Sequence, residues 1–358
     1  MSAHEILVAI MAVFAGLGAL DRIFGNRWGL GKEFENGILS MGSLMLAMAG
    51  MISLAPVLSR LLEPVIVPIY HFLGADPAMF AGTLLACDMG GGTLAMQMTS
   101  NHQAAMLGGI LTGSMMGATV VFTIPAALSI LDPQDQAALA RGVLCGVVTI
   151  PLGVFSGGLV AGFPIAMVAQ NLTPILLIAI AIVIGLWRAE QKMIRGFGIF
   201  GKIVLALITL GLAAAIVEAL TGWVIIPGMA PLSDSYQTVG AIAIVLAGAF
   251  PLVHVATRIL RRPLCALGRM LGINETSAAG MMATLANSIA TFGLVRDMDA
   301  RGKVVNIAFA VSAAFVFGDH LGYTAGVAPE MLPALIVGKL VAGISAVVVA
   351  MWMTRRQK

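Results

Sequence analysis

Charged residues are scarce in this sequence. The 20 Lys and Arg and 17 Asp and Glu make up 10% of the 358 residues, against roughly a quarter in a soluble globular domain. So few polar groups cannot coat a 37.0 kDa particle with water-facing surface, which excludes cytosolic enzymes, secreted modules and nucleic-acid binders. A net charge of +3 is too small to call for a polyanionic partner. The three cysteines, Cys87, Cys145 and Cys265, sit in or beside apolar runs without metal-ligand spacing, so they read as buried inert thiols. There is no basic leader: His4 and Glu5 precede the apolar run from Ile6, and the segment reads as a first membrane span, not a cleaved signal peptide. Neither HExxH nor a Walker A loop occurs, so metalloprotease chemistry and ATP-driven pumping by this chain have no support.

Apolar residues are abundant, at 59% of the chain with a mean hydropathy of +0.99. A hydrocarbon core of ~30 Å needs about 20 apolar residues as helix. Windows of that kind fall at 4–20, 37–58, 104–128, 137–160, 164–187, 201–226, 239–257, 304–327 and 333–353. Two further apolar stretches, 78–100 and 273–295, are interrupted at mid-length, the first by Asp88, Gly90, Gly91, Gly92 and Thr93, the second by Asn287 and Ser288. If both are re-entrant hairpins, 17 of the 20 basic residues fall on one face, which the positive-inside rule makes cytoplasmic. If both span, the groups at 188–202 and 258–269 move outside and the asymmetry collapses. The expectation is therefore an all-α polytopic membrane protein of nine spans and two hairpins, N-terminus outside and C-terminus inside.

An internal duplication points the same way. An offset of 198 residues superposes 49–82 on 247–280 with 10 identities in 34, among them Arg60 with Arg258 and Leu73-Gly74 with Leu271-Gly272. It also pairs Ser114 with Ser312 and Arg141 with Lys339. An Ala-, Gly- and Leu-rich chain matches itself often, but here the offset holds across several elements. The expected organisation is a first repeat at 1–160 with hairpin 78–100, a linker span and cytoplasmic interfacial segment at 161–200, and a second repeat at 201–358 with hairpin 273–295. The odd joining span inverts the second copy, as in many transporters with a midplane site. Stretches 60–75 and 259–272 would lie along opposite membrane surfaces.

Irregular backbone at membrane depth is tolerated where protein buries it or where it lines a wet cavity, so the hairpin tips are the first place to seek a ligand. Asp88 is a carboxylate in an apolar stretch and a functional candidate by default; capping of the return helix is the bland alternative. Gly90 and Gly91 free the backbone beside it, and Thr93 adds a hydroxyl. At the second tip Thr284, Asn287 and Ser288 offer hydrogen bonds without charge, though Asn and Ser also serve simple turns. A third cluster, Gly318-Asp319-His320 with Tyr323, lies inside 304–327: Asp319 suits a cation or a partner for His320, and His320 a proton. A purely structural Asp–His pair fits equally well. Ser114 and Ser312 fall near the middle of their spans, where small residues also serve packing. Glu218 and His254 rank lower. The composition implies no cofactor or resident metal, and a carboxylate among neutral hydrogen-bonding groups suits a small cation.

Several runs then resemble a known family: Phe80-Ala-Gly-Thr-Leu-Leu-Ala-Cys-Asp-Met-Gly-Gly91, Gly113-Ser-Met-Met-Gly117, Ala283-Thr-Leu-Ala-Asn287, Ser312-Ala-Ala-Phe315 and Gly318-Asp-His-Leu-Gly322. Over nearly the whole chain they are similar to the ethanolamine utilisation permeases. The resemblance implies a bacterial inner-membrane carrier or facilitator that admits ethanolamine to ammonia-lyase catabolism. Three readings follow: a carrier of protonated ethanolamine, a transporter of another small cation or neutral metabolite, and an intramembrane aspartyl protease built on Asp88 and Asp319. The protease lacks its Tyr-Asp and Gly-x-Gly-Asp contexts. Oligomeric state, a homo-oligomer included, is left open by the sequence.

Overall fold

The computed structural model describes residues 2–355, leaving out the side chains of 260–267 and 269. The side chains of Cys265, Arg261, Arg262 and Arg269, and Arg356 and Lys358 altogether, lie outside what is described. The described chain is helical throughout. Helix α1 (Ala3–Ile23) opens with a capping box between Ser2 and Glu5 and is followed by α2 (Leu30–Leu44) and α3 (Gly50–Phe72). A first short pair, α4 (Ala78–Leu84) and α5 (Gly91–Met98), precedes α6 (His102–Ala105), a long π-helical stretch at Met106–Gly117, and α7 (Ile124–Ile130). Then come α8 (Gln136–Val147), α9 (Ile150–Val160), α10 (Ile165–Thr221) and α11 (Leu232–Leu271). A second short pair, α12 (Glu275–Ala286) and α13 (Ser288–Leu294), leads into α14 (Ala300–Ala313), α15 (Asp319–Val327) and α16 (Leu332–Thr354).

Seven helical stretches among the described residues are long and apolar enough to cross a bilayer: Ala3–Ile23, Leu30–Phe72, His102–Ile130, Pro133–Val160, Ile165–Thr221, Leu232–Ile259 and Pro329–Thr354. At 1.5 Å per residue the 57 residues of α10 extend roughly 85 Å, far beyond one hydrocarbon core. Its helical geometry breaks at Ala189 (φ −147°, ψ 47°), dividing it near the boundary between the expected spans 164–187 and 201–226. The chain's four tryptophans, Trp28, Trp187, Trp223 and Trp352, are all exposed near helix ends or this kink, the habit of aromatic side chains at a membrane–water interface.

Two expectations need correction. The stretch 60–75 is not a separate surface helix, because α3 runs unbroken through Phe72 despite Pro56, Pro64 and Pro68. The segment 304–327 is not a plain span: α14 stops at Ala313 and α15 starts at Asp319. Between them Phe315 takes a left-handed φ of 61°. The gap is held by α12, whose last carbonyls lack intrahelical donors: the N–H of Phe315 donates to Thr284 O at 3.2 Å and that of Phe317 to Leu285 O at 2.9 Å. Hydropathy could not show this, because residues 314–317 are as apolar as a helix interior.

Both short pairs double back. Thr99 Oγ1 donates to Asp76 Oδ2 at 2.9 Å, joining the two ends of the first. In the second, Asn274 Nδ2 donates to Asp297 O at 3.0 Å. Within it, Thr291 Oγ1 donates to Gly280 O at 2.9 Å and lies 2.7 Å from Thr284 Oγ1. Asn287 caps α13 through its own side chain, Oδ1 accepting from Ile289 N at 2.8 Å. The first pair packs backbone to backbone on the π-helical stretch, where a Cβ on Gly82 would strike Gly108 O and one on Gly117 would strike Leu85 O, so small residues permit the approach.

Candidate functional site

Helix α15 is met by both doubled-back pairs. From the first, Asp88 lies in the turn Cys87–Met89, with Oδ1 3.6 Å from His320 Nε2. Gly92 follows, so close to Tyr323 that a Cβ there would collide with the phenol oxygen. From the second, the carbonyl of Ala286 abuts Gly318, where a Cβ would strike it. The first turn of α15 thus carries His320 toward one break and Asp319 toward the other. Phe315 stacks a tilted ring on His320 with centroids 5.2 Å apart and packs edge-on against Phe122 at 5.5 Å. The strained backbone at Phe315 places that ring; such strain costs about 1–3 kcal/mol and persists only where surrounding packing enforces it.

The two carboxylates differ. Asp88 lies beside a chain of polar contacts, although its buried Oδ1 has no hydrogen-bond partner among the described residues. Lys339 of α16, only 1% exposed, donates from Nζ to Ser114 O at 2.5 Å and lies 3.1 Å from His320 Nδ1. The two ring nitrogens of His320 thus face opposite partners, Nδ1 toward Lys339 and Nε2 toward Asp88. The helix is π-wound here, and the Ala118 N–H bonds Gly113 O and Met115 O and not Ser114 O. Asp319, by contrast, makes no side-chain hydrogen bond or ion pair among the described residues, and it lines a groove of about 430 Å³. Glu33, Asn36, His254, Thr257 and Asn287 supply the groove's other polar groups, with Phe250 and Met282 among its apolar ones. Glu33 Oε1 lies 3.9 Å from His254 Nδ1 across it.

The other expected site residues divide between scaffold and cavity. Gly90 adopts φ 96° and packs against Met51, while the Gly91 N–H donates to Ala86 O at 2.9 Å to close the turn; both serve the local fold. Thr93 is half-buried. Ser114 Oγ donates back to Leu111 O at 3.0 Å, so its contribution to the cluster is its carbonyl. The hydroxyls of Ser288 and Ser312 are buried without a hydrogen-bond partner, which in a native interior asks for a ligand or a water. Asn287 is exposed to the groove.

Lys339 and Glu33 were not singled out from the sequence. A lone Lys in the last apolar run was the available signal for the first, yet its repeat-related position, Arg141, is exposed. Nothing local marks Glu33, which reaches the groove only through the packing of α2 on α11. Cys87, Asp88 and His320 place ligand atoms within 4.8 Å of one another, a spacing a metal ion could use, but the Lys339 ammonium beside His320 opposes a second positive charge there.

The sequence matches the family described as ethanolamine utilisation protein EutH over residues 3–353. A Listeria monocytogenes protein named "Probable ethanolamine permease EutH" is 56% identical over 99% of this chain and 95% of its own length. The protein of that name from Escherichia coli K12 is 46% identical, covering 100% of this chain and 97% of its own. YxeR of Bacillus subtilis, described as uncharacterized, is 47% identical over 100% of this chain and 96% of its own. No solved structure matches. With the family match and these near full-length relatives in agreement, the chain belongs to the EutH family of ethanolamine utilisation proteins.

Proposed function

We propose that this protein is a bacterial inner-membrane permease for ethanolamine, which it takes as the protonated amine and delivers to ammonia-lyase catabolism. The observation that carries the reading is the unpaired carboxylate of Asp319 at the head of a groove that also presents Asn287. A carboxylate within an apolar span is costly unless a cation or partner neutralises it. An ethanolammonium ion supplies that charge, and its hydroxyl suits the amide of Asn287 and the unpartnered hydroxyls of Ser288 and Ser312. Asp88, deeper and 15% exposed, is the second carboxylate on the path, with His320 and Tyr323 beside it and Gly90, Gly91 and Thr93 shaping its turn. The names of the relatives support ethanolamine as substrate.

The same reading treats α4–α5 and α12–α13 as re-entrant hairpins entering from opposite faces, related by an inverted repeat at 1–160 and 201–358 about a linker at 161–200. The closures Asp76–Thr99 and Asn274–Asp297 support it, because both pairs are related by the same 198-residue offset. With the basic loops cytoplasmic, the groove opens inward, since Glu33 follows Lys32 and Thr257 precedes Arg258. Uptake of labelled ethanolamine at low external concentration tests the function. Asp88→Asn is expected to abolish the saturable component while the protein stays in the membrane, and unchanged uptake removes Asp88 from the role. Competition by choline, ammonium and other amino alcohols distinguishes ethanolamine from another small cation.

A further inference from the structure

The cluster behind the groove contains a positive charge that a cation carrier does not obviously need. Lys339 lies two turns into α16, and both of its hydrogen-bond partners, Ser114 O and His320 Nδ1, are internal. It is therefore not reaching for water, as lysines near span ends do. A buried ammonium without a compensating charge is unstable, and the ring it contacts faces the Asp88 carboxylate from its other nitrogen. The order along the contacts is Asp88, the His320 ring and Lys339. The remaining titratable groups facing the cluster are Cys87 on the same turn as Asp88, Tyr323 one turn along α15, and Asp319.

We infer that Lys339 is a resident cation that charge-balances Asp88 through His320, so that of the two aspartates Asp319 alone carries an uncompensated negative charge. Asp88, Asp319 and the Lys339 ammonium leave one charge, which one monovalent amine neutralises; the groove's third carboxylate, Glu33, faces His254 at 3.9 Å. The ammonium occupies the electrostatic position that a coupling ion or metal would otherwise take beside Cys87, Asp88 and His320. Lys339 is thus a specificity-determining residue: it sets the valence of what binds. This rests on the proposed cation site but is tested without ethanolamine.

Purified wild type, Lys339→Met, Asp88→Asn and the double variant are melted in detergent with no substrate. Lys339→Met strands Asp88 and is expected to lower the melting temperature by more than 5 °C, and adding Asp88→Asn should recover at least half of that loss. Each protein is then titrated with Co²⁺. Lys339→Met should gain a cobalt absorption band that disappears on adding Cys87→Ser, whereas wild type should show none; a purely structural lysine would produce no such band. If Lys339→Met cannot be purified, recovery of the double variant as folded protein is the expected result, and its failure to fold as well overturns the inference. A double variant no more stable than Lys339→Met, or a wild-type cobalt band equal to that of Lys339→Met, overturns the inference. Ethanolamine failing as a substrate would leave both readouts intact and would count against the proposed function alone.

Discussion

Thr99 and Asp76 are 23 residues apart, yet the hydroxyl of one donates to the carboxylate of the other at 2.9 Å, so the chain that leaves at Asp76 returns to the same place. Asn274 and Asp297 repeat the relationship in the second half of the protein. A segment that closes in this way is expected to present both ends to one side of the bilayer. Single cysteines at 76 and 99, in a protein otherwise free of reactive thiols, should both react with an impermeant maleimide added outside. Those at 274 and 297 should react only after the inner face is opened. Labelling of either pair from opposite sides would show a full crossing and remove the hairpins.

Asp319→Asn keeps the shape of the groove and removes its unpaired charge. A charge-assisted hydrogen bond is worth ~1.5–3 kcal/mol, so the apparent KM for ethanolamine should rise roughly 10- to 100-fold. Uptake kinetics in reconstituted vesicles, with protein amount measured in parallel, provide the check. A KM within twofold of wild type would place the substrate elsewhere.

Gly92 faces the phenol oxygen of Tyr323 with no room for a side chain. Gly92→Ala should therefore push the first turn away from α15 and lower thermal stability, at the ~1–3 kcal/mol usual for overpacking. Tyr323→Phe in the same protein removes the colliding oxygen and should restore part of the loss. Equal melting temperatures for Gly92→Ala with and without Tyr323→Phe would show that the two residues are not in contact.

Lys303 Nζ lies 2.6 Å from Asp135 Oδ1, with the two side chains 16% and 6% exposed. Breaking one side of so buried a pair leaves an unbalanced charge and typically costs ~3–5 kcal/mol. Asp135→Asn should therefore lower the melting temperature more than Asp135→Asn combined with Lys303→Met, as measured by thermal scans in detergent. The reverse order would show the pair to be solvated.

The sequence was enough to show that lipid is the solvent, because 10% charge over 358 residues cannot cover a water-facing surface. It located the two interrupted stretches as well, since Asp88, the glycines after it, and Asn287 break an apolar run in a way hydropathy registers. It did not reveal the break at 314–318, where Phe315 takes a left-handed φ among residues as apolar as any span. There the irregular backbone is imposed by carbonyls of α12, which lie about 30 residues away in the chain. Nor did composition separate the two carboxylates: Asp88 and Asp319 look alike in a sequence. Only the packing of α16 on the stretch around Ser114 and on α15 places Lys339 behind His320, while Asp319 faces the groove. Charge compensation acts over a few ångströms between residues hundreds of positions apart, so it was decided by the tertiary structure and not by any local pattern.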